Sequence, residues 1–162
     1  MTMEIIEYFS SDRKDHWLAR LGKCRWSAGK LLYSLLKNGT SEQFLGVHPR
    51  VLMLIDGDKL VSFCTLAQKD DIPDYRLTPW IGFVYTFPEY RGHRFVGKLI
   101  AKAERTAYAE GFRNIYISTG HTGLYEKYGY TFYEKQKDIN GHNSRIYIKR
   151  LKQNDDQLTE NH

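Results

Sequence analysis

The stretch Trp80-Ile81-Gly82-Phe83-Val84-Tyr85-Thr86-Phe87-Pro88-Glu89-Tyr90-Arg91-Gly92-His93-Arg94-Phe95-Val96-Gly97-Lys98 decides how this chain is read. Its first eight residues are almost unbroken in hydrophobicity, the pattern of a strand buried on both faces, and Pro88 ends them. From Phe95 the period changes. Phe95, Leu99, Ile100, Ala103 and Ala107 fall on one helical stripe, Lys98, Lys102 and Arg105 lie off it, and Gly111 is a natural stop. The turn between strand and helix, residues 91–97, leaves backbone N–H groups unpaired at the positive end of a helix dipole, and its glycines let a phosphate approach the backbone. Between Arg91 and Arg113 six Lys and Arg stand against only Glu104 and Glu110, so a polyanionic partner is expected, nucleic acid, membrane surface or phosphorylated small molecule. Gly92, Gly97 and Lys98 nearly spell the phosphate loop of nucleotide hydrolases, but Leu99 stands where a magnesium-binding Ser or Thr is required. A diphosphate bound without metal fits better.

Working outward, residues 4–9 read as a first strand and residues 10–22 as a helix capped by Ser10, Ser11 or Asp12. Ala28, Leu31, Leu32, Leu35 and Leu36 recur at helical steps until Asn38-Gly39. Residues 49–56 and 59–66 form a hairpin about Asp56-Gly57-Asp58, and residues 68–79, with Pro73 and Pro79, form a loop. After the basic helix come a strand at 114–118, a short helix at 124–128 ended by Gly129, and a hairpin of 130–137 with 144–150 about Asn140-Gly141. The order β-α-α-β-β-β-α-β-α-β-β defines an α+β protein with a mixed sheet. Residues 1–151 are expected to form one domain and the polar residues 152–162 a disordered tail.

Composition excludes several classes. The 162 residues are 41% hydrophobic and 27% charged, and 24 Lys and Arg against 19 Asp and Glu leave +5, all typical of a soluble globular domain. Cys24 and Cys64 are too few for a disulfide scaffold, and neither cysteines nor histidines show metal-ligand spacing, so no metal is expected. No G-x-S-x-G elbow supports a serine hydrolase. Glu4 and Glu7 break the only apolar stretch near the N-terminus, and the longest aliphatic run, residues 51–55, is far short of the ~20 that span a membrane. A cytoplasmic location without membrane attachment is expected. Nucleic acid is not the expected partner, because basic pI comes without aromatic-basic interleaving or a recognition motif.

Thr86-Phe87-Pro88-Glu89-Tyr90-Arg91-Gly92-His93-Arg94-Phe95 resembles the coenzyme-A-binding motif of the GNAT superfamily of N-acetyltransferases. Gly123-Leu124-Tyr125-Glu126-Lys127-Tyr128-Gly129-Tyr130 is similar to that family's later aromatic motif. The resemblance runs from Trp80 to Phe132 and implies a mostly antiparallel central sheet flanked by helices. It also implies acetyl-CoA as co-substrate, no metal, and direct transfer of the acetyl group to a primary amine of a small molecule or peptide. The family pattern [Q/R]-x-x-G-x-[G/A] starts on Arg91, so its two small positions fall on Arg94 and Val96, a departure that narrows the phosphate cradle unless Gly97 gives slack.

The residues that the resemblance assigns to acetyl-CoA are Val84 and Thr86 through their backbone, Arg91, Gly92, His93, Arg94, Phe95, Val96, Gly97 and Lys98 in and after the turn, and Tyr125. Tyr125 is also the implied general acid for the departing thiolate. The strand that often carries the base in relatives has no Asp or Glu between Trp80 and Phe87, which leaves His121 as the expected base. Trp26 and Tyr33 are candidates for an acceptor pocket. Arg94, Val96 and the missing strand carboxylate also motivate a second reading, a non-catalytic coenzyme-A-binding module of the same fold serving as sensor or interaction protein. Either is compatible with a homodimer.

Overall fold

The structure, a computed structural model, describes residues 2–153. The expected tail therefore lies outside the described residues beyond position 153. Seven strands, β1 (Met3–Glu7), β2 (Arg50–Asp56), β3 (Lys59–Ala67), β4 (Trp80–Thr86), β5 (Asn114–Thr119), β6 (Thr131–Lys137) and β7 (Asn143–Arg150), make one sheet in the order β1-β2-β3-β4-β5-β7-β6. Every neighbouring pair is antiparallel except β4 with β5. Helices α1 (Lys14–Leu21), α2 (Ser27–Lys37) and α3 (Ser41–Leu45) precede β2, and α4 (Phe95–Ala109) joins β4 to β5.

The two-residue period of the strands sorts the core. Val51, Met53 and Ile55 of β2 pack with Trp17 and Leu21 of α1, Leu32 and Leu36 of α2 and Leu45 of α3. Leu52 and Leu54 point the other way, into a cluster with Leu99, Ile100, Ala103 and Ala107, the stripe expected of α4. Burying such a Leu or Ile is worth roughly 1.5–3 kcal/mol, so truncating Leu99 or Ile100 to Ala unseats α4 from the sheet. A third cluster, with Ile72, Leu77, Trp80, Tyr116 and Ile146, fastens the 68–79 loop onto the sheet, and the Trp80 indole donates to the Leu77 carbonyl at 2.7 Å.

The expected fold class holds, with local corrections. A third short helix, α3, follows Gly39, in a stretch to which the sequence had assigned no element. The helix expected at 124–128 is a single 3₁₀ turn, Glu126–Tyr128, closed by Gly129 at φ 92°. Ser10, Ser11 and Asp12 do not cap α1, whose first turn is preceded by Arg13 without a side-chain cap. β4 is buried only over Trp80–Gly82; from Phe83 to Thr86 it is half-exposed, because the sheet opens there. No helix among the described residues is long and apolar enough to cross a membrane.

Candidate active site

Two irregularities in β4 build the site. Tyr85 lies opposite Phe63 and Gly82 opposite Thr65, so Phe83 and Val84 together face the single residue Cys64, a β-bulge. Phe83 takes φ 50°, and its ring meets Phe44 of α3 edge-on at 5.7 Å. On the other side, β4 pairs with β5 only at Trp80–Tyr116 and Ile81–Ile117. Beyond Gly82 the two strands part and leave a slot. Phe87 donates to the Val61 carbonyl at 3.0 Å, so the alternation of an antiparallel ladder turns the polar backbone groups of Thr86 away from β3, into the slot. Val84 lies two residues earlier on that edge. These are the two backbone positions singled out from the sequence.

The slot continues between the turn before α4 and the turn after β5, enclosing about 410 Å³. Arg91, Gly92, Arg94, Phe95 and Val96 line it; His93, Gly97 and Lys98 do not. Gly92 holds φ 89° and Arg94 φ 58°, so the turn bends twice through left-handed backbone before α4 begins. Arg94 precedes the 15-residue helix without capping it by its side chain. Phe95 and Val96 lean on the α4 core cluster. Gly97 does not border the slot; its missing side chain makes room for Tyr128. Arg91 folds back along β4, its Nε donating to the Thr86 carbonyl at 3.0 Å and its guanidinium 5.3 Å from the Tyr85 ring centre.

Tyr125 is held on the opposite lip. The amides of Tyr128 and Tyr130 both donate to its carbonyl, and Glu126 accepts from the Gly123 amide at 2.9 Å. Lys149 of β7 locks the turn by donating to the Tyr128 carbonyl at 2.9 Å and to Glu104 of α4 at 3.0 Å, while the Tyr130 hydroxyl donates to the same carboxylate. Only 7% of Tyr125 is exposed, and burial, with Cys64 next in effect, raises its pKa, so the phenol keeps its proton. Tyr125 borders both the slot and a second, larger cavity of about 980 Å³.

That second cavity brings together residues far apart in sequence. Trp26 lines it, stacked on Tyr85 with ring centres 5.5 Å apart. Tyr33 does not; it lies against Gly22 instead. His121 sits on the exposed rim, its amide bonded to Thr119 Oγ1. Asp70 and Asp71, two carboxyl groups passed over in the sequence, reach the cavity from the 68–79 loop. A methyl group on Gly82 would collide with Asp70 Oδ1, so the carboxyl occupies the space where a β4 side chain would begin. Burial raises the pKa of both, and for Asp70 the neighbouring Asp71 charge adds to it. The sequence did carry a signal: a glycine inside an otherwise bulky strand marks close approach by another group.

Residues 7–130 match the acetyltransferase (GNAT) family, and the chain belongs to it. Its fold is that of an acetyltransferase from Streptococcus agalactiae 2603, at 23% identity and TM-score 0.65 over 92% of this chain and 98% of that one. An aminoglycoside 6'-N-acetyltransferase in complex with coenzyme A superposes at 16% identity and TM-score 0.63, over 95% and 99% of the two chains. A GNAT acetyltransferase from Elizabethkingia anophelis with acetyl-CoA bound gives 14% identity and TM-score 0.63 over 92% and 98%. No curated protein matches the sequence significantly.

Proposed function

We propose that the protein is an acetyl-CoA-dependent N-acetyltransferase that moves the acetyl group directly to a primary amine of a small molecule or peptide. One observation carries this reading: a buried, proton-holding phenol, Tyr125, stands where the slot meets the larger cavity. The slot offers what acetyl-CoA requires. The free amides that begin α4 suit its diphosphate, with Arg94 beside them, and the edge of β4 that β5 leaves open at Val84 and the Thr86 amide suits the amides of its pantetheine arm. The acceptor belongs in the larger cavity, on the far side of Tyr125. Structures of this fold hold coenzyme A or acetyl-CoA, and one of them is an aminoglycoside 6'-N-acetyltransferase, which supports acetyl-CoA as the co-substrate and an amine as the acceptor.

Tyr125 then gives its proton to the leaving thiolate. A backbone N–H on the open edge of β4 is suited to the oxyanion that develops on the acetyl carbonyl. The test is free-thiol release from acetyl-CoA across polyamines, aminoglycosides, amino acids and peptides. Turnover with any of them is expected. Acetyl-CoA binding without thiol release against the whole panel overturns the enzyme and leaves the non-catalytic module.

A further inference from the structure

We propose that the Asp70–Asp71 pair is the seat of the acceptor's ammonium group, so that the acceptor is a cationic alkylamine whose proton Asp70 removes. The inference rests on the N-acetyltransferase reading and names its acceptor class.

Asp70 Oδ1 and Asp71 Oδ1 are both shut off from solvent, and neither has a hydrogen-bond partner among the described residues. No Lys or Arg pairs with either carboxyl among those residues; the ion pairs that Lys and Arg make there go to Asp58, Glu110, Asp74 and Glu104. A buried carboxylate with no counter-charge is costly, and a folded chain tolerates one where a proton or an incoming cation completes it. The pair is also where the chemistry requires it. Asp70 fills the space before Gly82, at the point where β4 and β5 part, and is close enough for its charge to act on Tyr125.

Charge and shape agree. The whole chain is basic at +5, yet the larger cavity is lined by Asp70, Asp71 and Asp138 against Arg91 at its slot end. Asp138 Oδ1 is engaged with the amides of Asn140 and His142, so it contributes field and not a ligating atom. Facing the acids are Trp26, Ala28, Leu31 and Phe44, a wall suited to an aliphatic stem.

The step balances. The N–H bond of R–NH₃⁺ breaks and its proton joins Asp70. The freed lone pair forms the C–N bond as the carbonyl π pair moves to oxygen; the return of that pair breaks the C–S bond, and Tyr125 protonates sulfur. The second amine proton returns to Tyr125, and Asp70 releases its own to solvent. Burial and the neighbouring Asp71 raise the pKa of Asp70, Ser118 of β5 and Asp138 from the β6–β7 turn act on Asp71, and Tyr125, His121 and Arg91 line the same cavity.

The experiment uses the full chain with hexylamine, aniline and N,N-dimethylhexylamine. Aniline is uncharged at neutral pH; the tertiary amine carries the charge but yields no stable amide. Hexylamine is expected to be turned over far better than aniline, and the tertiary amine to compete with hexylamine. Asp70→Asn is expected to lower kcat/KM for hexylamine by ~10²–10⁴-fold, with partial recovery at alkaline pH, and to abolish binding of the tertiary amine. Acetyl-CoA affinity is expected to change little, and Asp71→Asn to weaken tertiary-amine binding. Unchanged hexylamine kinetics in Asp70→Asn, with turnover still dependent on Tyr125, overturns the seat and leaves the enzyme standing. If the wild type turns over no amine, calorimetry with the tertiary amine decides the seat separately: wild-type binding lost in Asp70→Asn supports it, and equal or absent binding overturns it.

Discussion

Gly97 and Tyr128 touch across the start of α4: a methyl group on Gly97 would stand 3.0 Å from Tyr128 Cε1. The glycine in the first turn of α4 thus serves the turn that carries Tyr125, three residues upstream of Tyr128. Gly97→Ala gains helix propensity of ~1 kcal/mol in α4 and displaces the Tyr128 ring by a few tenths of an ångström. The expected outcome is a melting temperature within a few degrees of wild type and a kcat reduced several-fold, with acetyl-CoA affinity nearly unchanged. Gly97→Ala/Tyr128→Leu restores the space, so thiol-release kinetics on both variants check the coupling.

Arg94 holds φ 58° immediately before α4, a conformation that costs a non-glycine residue roughly 1 kcal/mol. Backbone strain and side-chain charge are separable there. Arg94→Gly is expected to raise the melting temperature or leave it unchanged while weakening coenzyme A binding through the lost guanidinium. Arg94→Glu should weaken it further, without unfolding the chain. Calorimetry with coenzyme A beside thermal unfolding checks both, and unchanged affinity in Arg94→Glu removes Arg94 from the diphosphate site.

What was legible in the sequence follows a physical division. The α4 stripe and the β2–β3 hairpin are local patterns, and each was readable because burial and turn chemistry imprint them on neighbouring residues. The turn at 91–97 was readable as a chemical pattern. Asp70 and Asp71 were not, since their place depends on the 68–79 loop folding across the sheet, where Ile72 and Leu77 bury against Trp80 and Tyr116. The Ile139 amide donating to the Asp71 carbonyl is likewise a contact between segments 68 residues apart. His121 was selected because it is near Tyr125 in sequence; the structure puts it on the exposed rim of the cavity.

Asp70 makes the fold less stable at the pH at which it is useful. A carboxyl whose pKa is raised on folding binds its proton more tightly in the folded chain. Its favourable contribution is complete below the unfolded value, about 3.9, and is lost as pH rises through the folded value. At neutral pH Asp70 therefore opposes folding. Asp70→Asn is expected to raise stability by about 1–3 kcal/mol near pH 7 and by less near pH 4, while activity falls. Melting temperatures of both proteins across that range check it. A variant less stable than wild type at every pH would mark the carboxyl as a structural hydrogen-bonding group.

Tyr125→Phe separates chemistry from packing at the centre of the site. The ring packs in the α4 core cluster and meets Tyr130 edge-on at 6.3 Å, contacts that phenylalanine keeps. No side-chain hydrogen bond of the Tyr125 hydroxyl joins the network of Lys149, Glu104 and Tyr130 that holds its turn, so removing the oxygen leaves that network whole. The hydroxyl faces a buried setting in which Cys64, Tyr128 and Asp70 all raise its pKa, which keeps the proton in place until a thiolate demands it. Loss of a general acid costs ~10²–10⁴ in rate, so kcat is expected to fall at least about 100-fold. Acetyl-CoA affinity and melting temperature should change little, because neither the α4 turn nor the core is disturbed. A more acidic leaving thiol needs less protonation, so a thioester of a low-pKa thiol should recover much of the lost rate in Tyr125→Phe and gain little in wild type. Equal losses with both thioesters would assign the hydroxyl to positioning, and full turnover with a lowered melting temperature would assign it to the core.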